Sequence, residues 1–68
     1  MRKDHDHFVV VEIADDRVVG ATVCHTKPEA QDTFRKICQD NGVAPERIEE
    51  AVKNERCERS DGWWVTIE

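Results

Sequence analysis

Apolar residues recur along this chain in two periods, and the change of period marks its elements. Phe8-Val9-Val10-Val11-Glu12-Ile13-Ala14 is a β-branched run, and Arg17-Val18-Val19-Gly20-Ala21-Thr22-Val23-Cys24 is a second. Both read as strands. Only Asp15-Asp16 separates them, which predicts an antiparallel hairpin. Gly20 inside the second strand marks a bulge or a close packing contact. The period then lengthens. Ala30, Phe34, Ile37 and Cys38 fall at i, i+4, i+7 and i+8, one face of a helix. Thr26 is its expected cap and Glu29, three residues on, completes a capping box. Pro28 lies in the first turn, where a missing N–H costs nothing, and Asn41-Gly42 is the stop signal.

After Val43-Ala44, Pro45 opens a second helix whose narrow stripe is Ile48, Ala51 and Val52, running to about Asn54. Its other face carries Glu46, Arg47, Glu49, Glu50 and Lys53, with Glu49 and Lys53 spaced as an i, i+4 pair. So short a helix is marginal alone and must be held by packing. Arg56-Cys57-Glu58-Arg59, the turn Ser60-Asp61-Gly62 and Trp63-Trp64-Val65-Thr66-Ile67 predict a second hairpin. Alternation assigns Trp63, Val65 and Ile67 to the core, and Trp64 and Thr66 to the opposite face. The expected fold is α+β: ββααββ, a four-stranded antiparallel sheet with two helices packed on one face. Residues 1–68 read as a single small domain, with 1–7 a polar N-terminal tail.

Charge narrows the function. Fifteen acids against 10 bases give a net charge of −5. Binding nucleic acid through its phosphates needs the opposite balance. No apolar run approaches the roughly 20 residues of a membrane span. Met1-Arg2-Lys3-Asp4-His5-Asp6-His7 is too charged for a signal peptide, so a cytoplasmic location is expected. Cys24, Cys38 and Cys57 are odd in number and widely spaced, the pattern of reduced, packed thiols rather than a disulfide framework.

His5, His7, Cys24, His25, Cys38 and Cys57 are all metal-ligand types, yet they form no C-x2-C or H-x3-H pair. Cys24 and His25, adjacent on a strand, point to opposite faces. His5 and His7 could chelate weakly. No metal and no cofactor is expected. The chain also lacks a nucleophile elbow, a phosphate-cradling glycine loop and an H-E-x-x-H pair, which argues against an enzyme.

The acids are the remaining chemistry. Asp15 and Asp16 sit at a hairpin tip, Glu29 and Asp32 near the start of the first helix, and Glu46, Glu49 and Glu50 on the second. One reading is a solvated surface that complements helix dipoles and aids solubility. The sharper one is a carboxylate array for a basic partner. Helix neighbours hold carboxylates about 5–6 Å apart, a spacing of the same order as that of phosphates along a strand of DNA. Trp64 is the second candidate contact, since exposed tryptophan is enriched at interface hot spots, unless a neighbouring side chain covers it. A sheet apolar on both sides further suggests a partner surface or a homodimer.

In length, acidity, compact α/β plan and absence of catalytic motifs, the chain resembles the small anti-CRISPR proteins of phages and mobile elements, particularly the acidic type I inhibitors regarded as DNA mimics. The resemblance is one of overall character, and no family residue is carried over to a position here. It implies a non-catalytic, phage-encoded inhibitor in the host cytosol that occupies a basic DNA-binding surface of a protein or nucleoprotein complex. The alternatives are a small protein-interaction module, homodimeric through the open sheet face, and a metal-binding regulator.

Overall fold

The computed structural model describes residues 7–68. Its elements are β1 (Phe8–Ala14), β2 (Arg17–Cys24), α1 (Lys27–Asp40), α2 (Pro45–Asn54), β3 (Arg56–Glu58) and β4 (Trp63–Ile67). The strands form one four-stranded sheet in the order β2-β1-β4-β3, every neighbour antiparallel. This is the expected α+β architecture.

Local chemistry accounts for each boundary. Asp15 and Asp16 both take positive φ, at 53° and 64°, between the paired residues Ala14 and Arg17. Those are the torsions of a two-residue turn whose twist matches the strands, and short polar side chains tolerate them. Further along β2, Glu12 pairs with Gly20 but Ile13 pairs with Val18. Val19 is therefore the extra residue of a β-bulge. Gly20 stands beside the bulge, and a Cβ there would meet Glu12 Oε1 at an ordinary 3.6 Å.

Thr26 Oγ1 accepts from the Glu29 N–H (3.2 Å) and caps α1 as expected. The reciprocal half of the box is shifted by one residue: the Glu29 carboxylate accepts from the His25 N–H (2.9 Å) rather than from that of Thr26. At the far end, the Val43 N–H donates to Cys38 O and the Gly42 N–H to Gln39 O, both at 3.0 Å, with Gly42 at φ 79°. This is a Schellman ending, and buried Val43 supplies its apolar contact. α2 has Pro45 in its first turn and no side-chain cap from Ala44. Its C-cap residue Glu55 adopts a left-handed φ of 59°, and the Glu55 carbonyl accepts from Ile67 N–H and Thr66 Oγ1, tying α2 to β4.

The core lies between the helices and one face of the sheet. Ala30, Phe34 and Cys38 of α1 and Ile48, Ala51 and Val52 of α2 are buried against Val10, Cys24, Cys57, Trp63 and Val65. Phe8, Ala14, Ile37 and Ile67 pack around them. Among the described residues, no helix is long and apolar enough to cross a membrane.

Candidate functional site

Pairing registers sort the strand residues by face. Phe8, Val10, Glu12 and Ala14 lie on the helix side with Cys24, Cys57, Trp63, Val65 and Ile67. Val9, Val11, Ile13, Val18, Ala21, Val23, Trp64, Thr66, Arg56 and Glu58 lie on the other, which neither helix covers. The assignment of Trp63 to the core holds: it is 4% exposed. Trp64 is half-buried, because the Arg56 guanidinium lies 4.3 Å above its ring and pairs with Glu58 at 3.3 Å. A neighbouring side chain thus shields part of that indole.

The candidate carboxylates stand in three separate places. Asp15 and Asp16 are exposed at the end of the sheet where α1 finishes, and Glu29 at the end where α1 starts. Between them, Glu46, Glu49 and Glu50 are exposed on α2. Arg35 gathers one member from each helix, reaching Asp32 at 3.0 Å and Glu49 at 3.1 Å. The hydrogen bond that Arg35 donates to Glu49, foremost, raises the Arg35 pKa above its ordinary value. Glu49 thus takes Arg35 across the helix pair in place of the expected Lys53. Glu29 spends one carboxylate oxygen on the helix start. Glu46 and Glu50 therefore form the part of the α2 array that lies clear of these contacts.

Sequence reasoning missed a network on the covered side. Glu12 Oε2 accepts from the Trp63 indole Nε1–H at 2.8 Å and from Asn41 Nδ2–H at 3.5 Å. Arg59 stacks 4.7 Å over the Trp63 ring, donates to Asn41 O at 2.7 Å, and grips Asp61 through two nitrogens. The Arg59 hydrogen bond holds the Asp61 carboxyl below the usual carboxylate range. Two signals in the chain pointed there: Glu12 is in phase with Phe8, Val10 and Ala14, and a buried indole needs an acceptor. These contacts fasten the end of α1 to the sheet.

A polar groove between α2 and β3, lined by Arg47, Glu50, Ala51, Asn54, Arg56, Cys57 and Glu58, has a volume of about 130 Å³. Ligand pockets run to roughly 300–1,000 Å³. Among the described residues, no three His, Cys, Asp or Glu side chains gather as a metal would require. His5 lies outside the described residues; the His7 ring meets that of His25 edge-on at 6.2 Å. Cys24, Cys38 and Cys57 are free and buried.

Comparison with known proteins finds no matching family model, no matching curated protein and no matching solved structure. The surfaces themselves must carry the functional reading.

Proposed function

We propose that this protein is a non-catalytic inhibitor that lays its carboxylates on a basic surface built for DNA. The supporting observation is the exposed acidic side of α2, where Glu46 and Glu50 stand one helical turn apart with Glu49 beside them. Such neighbours are about 5–6 Å apart and fixed by the helix, so they meet an Arg/Lys groove without first being ordered. The expected partner class is a basic DNA-binding protein or nucleoprotein complex in the cytosol. A type I CRISPR complex is the first to try, given the resemblance in overall character.

The test is binding of a DNA target by such a complex in the presence of the protein. Glu46→Lys with Glu50→Lys leaves both Arg35 ion pairs untouched, and should abolish inhibition with little change in melting temperature. Asp15 with Asp16, and Glu29 with Asp32, are reversed as separate sets. Full inhibition by all three reversed proteins would reject the array. A second reading, a protein-interaction module working through the uncovered sheet face, is favoured by Val18 and Val23, which are 65% and 56% exposed there.

A further inference from the structure

The uncovered face carries a pattern that a helix-free sheet surface does not need. Levels are set by the strand pairing. Ala21, Val11, Thr66 and Arg56 lie side by side across β2-β1-β4-β3, and Val18, Ile13, Trp64 and Glu58 form the row two residues away, three along β2 because of the Val19 bulge. Between them runs the row Gly20, Glu12, Val65 and Cys57, which faces the core. A two-fold axis lying along that middle row, just above the uncovered face, carries each outer row onto the other. Val11 then meets the partner's Ile13, and Trp64 meets the partner's Thr66. Val18 meets the partner's Ala21, and Arg56 meets the partner's Glu58. Trp64 and Val18 each face a smaller residue, Val11 faces one of similar size, and cation faces anion. That is the self-complementarity a two-fold interface requires.

We propose that two copies of this chain associate through this face, sheet against sheet, with their strands running in opposite directions. The proposal rests on the reading of the face as an interaction surface, and commits it to a second copy. Charge supports that occupant. Charged residues make up 37% of the chain, yet Val9, Val11, Ile13, Val18, Ala21, Val23 and Thr66 form an uncharged field, bordered on the β3 side by Trp64 with Arg56 over its ring and by Glu58. The candidate acids of α1 and α2 lie on the far side of the sheet. With sheets about 10 Å apart and helices about 10 Å thick, the two acidic layers end up about 30 Å apart, beyond the ~8 Å screening length. Like charges therefore oppose this pairing far less than they would a contact through the helices. The axis also sends the two Asp15-Asp16 tips to opposite ends.

Area sets the strength. Strands of 7, 8, 3 and 5 residues, ~4.8 Å apart, present roughly 400 Å² per copy, or about 800 Å² in all. That is below the ~1,200 Å² where stable complexes begin, so the dimer is weak and reversible.

Sedimentation equilibrium of the full chain across about 10 µM to 1 mM, in ~0.15 M salt, should show a monomer giving way to a dimer. The association should fall far less with salt than binding through the acids, since salt screens only its Arg56–Glu58 pairs. Val18→Lys should weaken it at least tenfold while leaving the melting temperature of the monomer unchanged, since Val18 is exposed there. Glu58→Arg and Arg56→Glu should each be monomeric, and an equimolar mixture of the two should recover the dimer. The mixing result is independent of either variant's internal ion pair. A chain that stays monomeric throughout overturns the proposal and leaves the face to a different protein. A dimer that survives Val18→Lys overturns both the proposal and the reading of this face.

Discussion

Glu12 keeps its carboxylate on the covered side of the sheet because Trp63 gives it a donor at 2.8 Å. The indole needs the acceptor as much, being almost fully buried. Trp63→Ala removes both the packing and the donor, and should cost about 3–5 kcal/mol. Trp63→Phe keeps most of the volume but removes the shorter of the two donors to the carboxylate, for about 1–3 kcal/mol. Denaturant midpoints at constant slope separate the two, and a Phe variant as stable as the parent would show that the hydrogen bond does not hold the core.

A second residue-scale test uses pH. Burial, with Cys57 adding to it, pushes the Cys38 thiol from its ordinary 9.0 up to about 12. A folded-state pKa raised above the unfolded one means stability that is complete below about pH 9 and drains away as pH climbs toward 12. Cys38→Ala should lower the melting temperature near neutral pH yet make its decline across that window shallower. Parallel declines would contradict the assignment.

Among the elements, what was legible in the chain was what local chemistry decides. The strands and helices follow from hydrophobic period, the start of α1 from Thr26, its end from Asn41-Gly42, and the hairpin turn from Asp15-Asp16. Alternation alone placed Trp63 and Trp64 on opposite faces. The rest depended on partners distant in sequence. Nothing near Glu49 announces Arg35, 14 residues away, and nothing near Glu12 announces Trp63, 51 residues away. Cover on Trp64 came from Arg56, a cross-strand diagonal that requires the register of β3 on β4. The shift in the capping box arises because the Glu29 side chain reaches the residue before the cap.

The hairpin turn separates fold from function in one variant. Asp15 and Asp16 hold left-handed torsions that Asn-Gly adopts more readily. Replacing them with Asn-Gly should raise stability by about 1 kcal/mol while removing two carboxylates. If the tip belongs to the contact surface, inhibition falls as melting temperature rises. If α2 carries the contact, inhibition is unchanged. A drop in melting temperature would contradict the turn assignment.

At the scale of the whole molecule, the two surfaces answer to different physics. The helices carry acids on the solvent side and bury their apolar stripes, while the sheet's uncovered face is uncharged apart from the Arg56–Glu58 pair on its β3 edge. Salt is the variable that tells them apart, since it screens the first far more than the second. The most direct measurement is competition between this protein and DNA for a basic DNA-binding complex, followed by fluorescence anisotropy as salt is raised. The proposed array predicts full displacement of DNA at low salt, an inhibitory affinity that falls steeply toward about 0.2 M and beyond, and loss of displacement on reversing Glu46 and Glu50. Inhibition that is indifferent to both salt and those reversals would contradict it.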